Sequence, residues 1–153
     1  MNDELEQRLY NKYPALFRQK DLSAQETCMC WGIAVGNGWY EIIDEACQKL
    51  QQLADESKVT IEFAQVKEKF AELRLYFEIK PIGDTLSLFD TNSICIKAQE
   101  IVSQAEEKSR HTCDFCGEPG FYCSRGWKKI RCKKHSDEDF LQLTDDEKKR
   151  WKI

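Results

Sequence analysis

Residues 59–80 read VTIEFAQVKEKFAELRLYFEIK, and the fold turns on them. β-Branched and aromatic residues crowd this stretch, which favours a pleated, half-buried surface over a helix. Leu73, Leu75, Phe77 and Ile79 alternate with Arg74, Tyr76, Glu78 and Lys80, so one strand face meets a core and the other meets solvent. VTIEFAQVKEKF supplies the first strand and LRLYFEI the second, with Ala71 and Glu72 between them. The pattern predicts a β-hairpin ended by Pro81 and Gly83. Glu62, Glu68, Glu72 and Glu78 stand beside Lys and Arg on it and read as a solvated face.

Helical periodicity flanks the hairpin. From Trp39 to about Glu56, Tyr40, Ile43, Cys47, Leu50 and Leu53 recur at three- and four-residue intervals, one stripe of an amphipathic helix. From about Ser87 to Lys108, Ile94, Ala98, Ile101, Val102 and Ala105 form a second stripe. Leu5, Leu9, Tyr10 and Tyr13 predict a short first helix, which stops at Tyr13 because Pro14 disfavours the helical region for the residue before it. A loop to about Gln25 follows. Between Trp31 and Tyr40, GIAVGNGWY carries three glycines, which signals a turn needing positive φ or a close backbone approach.

The chain has 153 residues, 41% hydrophobic and 33% charged, with 3 Pro and 7 Gly, enough apolar content for a core and unlike a disordered chain. That length suits one domain with at most a small appendage. The acidic, amphipathic start MNDELEQRLY lacks the layout of a secretory signal, and no 18-residue apolar run occurs, so no membrane contact is expected. A reducing cytoplasm is the expected compartment, where the 8 Cys serve better as metal ligands or buried thiols than as disulfides. The net charge of −4 is unevenly spread: residues 1–107 carry −8, residues 108–135 carry +6 and the last 18 carry −2. The break separates an expected α+β body, residues 1–108, from a zinc-binding module with a C-terminal helix, residues 109–153.

Within that module, CDFCGEPGFYCSRGWKKIRCKKH places Cys113 and Cys116 as C-x2-C and Cys132 and His135 as C-x2-H, with 15 residues between the pairs. Two ligands two positions apart on a tight turn can reach one ion, so such paired spacing predicts one structural Zn²⁺ held tetrahedrally. Gly117 lets the backbone turn so that amides face the thiolates. FYCSRGWKKIRC reads as two short strands, and SDEDFLQL after His135 suits a helix start. Knuckle, hairpin and helix in that order resemble the treble-clef family of zinc folds over about 30 residues. Four-coordinate closure leaves no position for an activated water, and Cys123 is then spare.

Lys108, Arg110, Arg125, Lys128, Lys129, Arg131, Lys133 and Lys134 surround these ligands, interleaved with Phe115, Phe121, Tyr122 and Trp127. Two readings stand. Arg125, Trp127, Lys128, Lys129, Arg131, Lys133 and Lys134 suit phosphate neutralisation and base stacking, or they form a basic face that docks on the acidic body or a partner protein. Trp31, Trp39 and Tyr40 are candidates for a peptide groove or for core. Cys28, Cys30, Cys47 and Cys95 follow no common zinc spacing and read first as buried thiols, with a second metal as the alternative.

Catalytic parts are few. One of the 2 His is spoken for as a ligand, leaving His111, and no histidine lies between Cys116 and Cys132, where treble-clef nucleases place theirs. Deaminase, Walker A, dinucleotide and G-x-S-x-G signatures are all absent from the sequence, so no enzyme and no small-molecule substrate is expected.

ETCMCWGIAVGNGWYEIIDEACQKL and QVKEKFAELRLYF, followed by CDFCG and the late C-x2-H, resemble a family of small bacteriophage and prophage proteins. The resemblance implies a phage or mobile-element origin, glycines in the turn where this chain has Ala71 and Glu72, and a defence or host-regulatory protein as a target. Two expectations follow: a non-enzymatic protein that docks a bacterial partner protein, or a nucleic-acid-binding regulator using the basic zinc hairpin.

Overall fold

The computed structural model describes residues 1–83, 88–125, 127–136, 141–142 and 145, with the main chain alone at 88–89, 124–125 and 141–142. Helix α1 (Asp3–Lys12) is capped by the Asn2 side chain, which accepts from the Leu5 amide, and Tyr13 ends it with φ −131° ahead of Pro14. Helix α2 (Tyr40–Ser57) buries Ile42, Ile43, Ala46, Cys47, Leu50, Leu53 and Ala54 along one stripe. Lys58 closes it in the left-handed region, at φ 54° and ψ 47°.

The hairpin forms as the alternation demands. Strands β2 (Val59–Lys69) and β3 (Glu72–Pro81) pair antiparallel, and β1 (Ile33–Ala34) adds in parallel to the far edge of β2 in the order β1-β2-β3. The turn is Phe70–Ala71, and both have positive φ, 56° and 68°. The twist of a two-residue hairpin loop demands that conformation, even from residues with a Cβ. The register slips between Phe63 and Gln65, and the carbonyl of Ala64 in the bulge accepts from the Thr27 hydroxyl at 3.1 Å.

Helix α3 (Leu88–Ser109) returns across β3 and packs on α2, with Ile94, Ala98, Val102 and Ala105 buried and Ile101 half-buried. A single core runs from Leu9 and Phe17 through Trp39, Ile43 and Leu50 to Phe63, Leu73 and Val102. Beyond it, β4 (Phe121–Arg125) lies between β5 (Trp127–Arg131) and β6 (Leu141–Gln142), all antiparallel. The chain is thus mixed helix and sheet.

Three expectations change. Glu62 and Glu72 are buried rather than solvated. Glu62 accepts from the Gln19 amide at 3.2 Å and pairs with Lys80 at 3.3 Å, while Glu72 gathers Arg74, Arg110 and the Tyr122 hydroxyl. A carboxylate enters an interior only with such partners. At Leu141–Gln142 the chain is extended and paired with β4, not helical; beyond them the structure describes Asp145, which is helical, and the rest of the expected C-terminal helix lies outside the described residues. Finally, Trp39 belongs to the core, so Trp31, Trp39 and Tyr40 do not line one groove.

Lys58→Gly should stabilise the fold by about 0.5–1 kcal/mol, because it relieves the left-handed strain of a Cβ and gives back part of that gain in chain entropy. A urea unfolding midpoint that fails to rise at constant slope would contradict this account of the cap.

Candidate metal centre

Two tight turns face each other across the β4–β5 hairpin. In the first, the Gly117 amide donates to the Cys113 carbonyl at 2.9 Å, with Gly117 at φ 81°, a conformation open to glycine at little cost. The Cys113 amide donates to the Glu118 carbonyl at 2.8 Å. In the second, the amides of His135 and Ser136 both donate to the Cys132 carbonyl at 2.9 Å. The Asp114 amide reaches the Ile130 carbonyl at 3.0 Å and so fastens the first turn to β5.

These turns bring the Sγ atoms of Cys113, Cys116 and Cys132 and a ring nitrogen of His135 within 4.8 Å of one another. Cys116 Sγ and Cys132 Sγ lie 3.7 Å apart, and His135 Nδ1 lies 3.2 Å from Cys132 Sγ and 3.7 Å from Cys113 Sγ. The Phe115 ring packs on the His135 ring at 4.4 Å between centroids. Burial opposes ionisation of Cys113, but the amides of Cys132, Cys116 and Phe115 aimed at its sulfur prevail and bring the thiol down to about 6. Cys113, Cys116, Cys132 and His135 together can hold a metal ion.

What seats this centre is the glycine-rich segment. A Cβ on Gly38 would lie 2.1 Å from the Cys113 carbonyl oxygen and 2.4 Å from the Gly117 nitrogen, and one on Gly36 would lie 1.9 Å from the Asp114 oxygen. The Gly38 amide donates to that Asp114 carbonyl at 3.0 Å. Next in the chain, the Trp39 indole donates to the Thr112 carbonyl at 2.9 Å. Backbone touches backbone here, so only glycine fits.

Much of the positive charge around the centre is engaged by carboxylates of the chain itself. Lys129 pairs with Glu68 at 2.7 Å, Arg131 with Asp114 at 2.6 Å, Arg110 with Glu72 at 3.1 Å and Lys108 with Glu45. Lys133 and Lys134 are exposed and Lys128 is half-buried. Arg125 lies in β4 with its side chain outside the described residues. Trp127 is 83% exposed and Trp31 73%, whereas Tyr40 is half-buried against the core.

The other thiols do not gather. Cys28 and Cys95 are exposed, Cys30 is half-buried with its thiol toward the Thr27 carbonyl, and Cys47 is buried. Among the described residues no second cluster of metal-binding side chains occurs. Burial pushes the Cys47 thiol well up and the Cys123 thiol to about 11, which leaves both inert. His111 is exposed, with its ring 3.4 Å from Glu107. The buried Asp114 carboxylate, which draws in Arg131 and Lys129, escaped sequence reasoning; its one sequence signal was its place inside the C-x2-C turn.

No family model, curated protein or solved structure matches the chain. No helix among the described residues is long and apolar enough to cross a membrane.

Gly38→Ala should lower stability by about 3 kcal/mol or more and reduce bound metal, because neither colliding group is a side chain that can swing away. Wild-type melting and metal content in that variant would show that the two segments do not depend on each other.

Proposed function

We propose that the chain is a zinc-stabilised binding protein without enzymatic activity, which docks a bacterial protein. Ligands at about 2.3 Å from a tetrahedral zinc stand about 3.8 Å apart, and the sulfur–sulfur separation of 3.7 Å supports that metal. Three thiolates and an imidazole fill four positions, so the ion acts in folding rather than on a bound water. The order of knuckle, hairpin and the turn from Cys132 to Ser136 supports a treble-clef assignment for this segment.

The observation that carries the docking role is the exposure of Trp127 and Trp31, 83% and 73%. Tryptophan seldom stands so far into solvent, and it is among the residues that contribute most at protein interfaces. Phe70, in a conformation that costs a residue with a Cβ, is also exposed at the tip of the β2–β3 turn. The engagement of Lys108, Arg110, Lys129 and Arg131 by carboxylates of the chain itself leaves less free charge for phosphates and favours a protein over a nucleic acid. In line with the sequence resemblance, we place the protein in a phage or mobile element acting in the bacterial cytoplasm on a defence or host-regulatory protein. A nucleic-acid-binding regulator is the second reading, supported by Lys133 and Lys134 exposed on the same metal-bearing segment as Trp127.

Affinity capture from bacterial lysate, with and without nuclease, separates the two. A stoichiometric protein that survives nuclease and is lost with Trp31→Ala or Trp127→Ala is expected; recovery of nuclease-sensitive, salt-sensitive nucleic acid would overturn the docking role.

Removing the metal with a chelator, or replacing Cys116 or His135, should lower the melting temperature of the whole chain. Tryptophan emission should shift to the red as Trp39 loses its Thr112 partner. A body that melts unchanged would mean the glycine contact transmits nothing.

A further inference from the structure

We propose that two copies of this chain pair antiparallel through the open end of β3, about a two-fold axis at Ile79. The ladder to β2 uses the inward-facing groups of Arg74, Tyr76, Glu78 and Lys80, opposite Lys67, Gln65, Glu62 and Thr60. The amides of Leu73, Leu75, Phe77 and Ile79 therefore point the other way. At one end this outer edge is closed: the Leu73 amide donates to the Ser109 hydroxyl at 3.0 Å and the Leu75 amide to the Glu106 carboxylate at 3.3 Å, both from α3. Among the described residues, nothing accepts from the amides of Phe77 and Ile79 or donates to their carbonyls.

The side chains mirror that division. Leu73 and Leu75, at the closed end, are buried, whereas Phe77 and Ile79, on the same face of the same strand, are half-buried. Among the described residues, the end at Phe77 and Ile79 thus joins backbone without a partner to half-buried apolar surface, a combination that invites another strand.

The sequence of this edge selects a second copy as its occupant. With the axis at Ile79, the two Ile79 residues exchange both backbone hydrogen bonds, and each Phe77 amide donates to a Pro81 carbonyl of the other copy. Pro81 has no amide to offer outward, which limits the ladder to these residues. On the opposite face Glu78 of one copy stands across from Lys80 of the other, twice by symmetry. Within one chain the same two side chains lie 3.2 Å apart, so both reach over the same patch of surface. Shifting the axis to Glu78 would set two carboxylates against each other, and the charge pattern selects the Ile79 register.

Sedimentation across a concentration series tests the pairing. The wild-type mass should rise from that of one chain toward two, while Glu78→Lys and Lys80→Glu each weaken self-association by about tenfold or more, since each sets like charges face to face. An equimolar mixture of the two variants should restore the dimer, now as a heterodimer, because one chain then carries two cations at positions 78 and 80 and the other two carboxylates. Both cross-strand pairs are again of opposite charge. Loss of the contacts that Glu78 and Lys80 make inside their own chain is the same in the mixture, so only an interface between copies predicts that recovery. A wild-type mass that never rises, a dimer that both substitutions leave intact, or a mixture no more associated than its components would each overturn the proposal.

Discussion

The contact between Gly36–Gly38 and the turn that carries Cys113 and Cys116 is one of bare backbone, and much else in this protein is arranged around it. A main chain that approaches another at under the span of a Cβ leaves no space for water, and each amide in the gap must find an acceptor. Gly38 finds the Asp114 carbonyl, and the neighbouring Trp39 indole finds that of Thr112. Trp39 also starts helix α2, whose buried stripe organises the core, so the geometry of the metal-binding turn and that of the core are set by consecutive residues. An ion at the four ligands would hold the turn in the shape this contact requires.

Electrostatics joins the same two parts of the chain. The acidic excess of the first 107 residues and the basic excess of residues 108–135 meet at named pairs, Glu68 with Lys129, Glu72 with Arg110 and Glu45 with Lys108. Glu72 is buried, and three donors around it compensate what its carboxylate loses on leaving water. Exposed pairs of this kind contribute little, whereas removing one partner of a buried pair leaves an uncompensated charge, so loss of a partner costs more at Glu72 than at Glu45. Of the hairpin's cations, Lys129 reaches the body at Glu68 and Arg131 stays with Asp114 of the metal-bearing turn, while Trp127 stands in solvent.

Elements whose causes are local were legible in the chain. The stop of α1 at Tyr13 follows from Pro14, the stripes of α2 and α3 from three- and four-residue spacing, and the hairpin from alternation. Strand β1 was not legible, since two residues of a parallel pairing have no periodicity to show. The turn at Phe70–Ala71 was concealed by its composition, because neither residue favours the left-handed region that both occupy. The GNG segment announced a special backbone through its glycines, though its partner 76 positions away could not be named from the spacing.

By itself, then, the sequence determined helices α1 to α3, the β2–β3 and β4–β5 hairpins and which four side chains can meet at a metal, because period and spacing act over a few residues. Only the tertiary structure decided that Trp39 is core while Trp31 and Trp127 stand in solvent, and that Glu62 and Glu72 are interior. It also decided that Lys129 turns toward Glu68, 61 positions away in the chain. Burial and charge pairing depend on which distant surfaces pack together, and no local pattern carries that information.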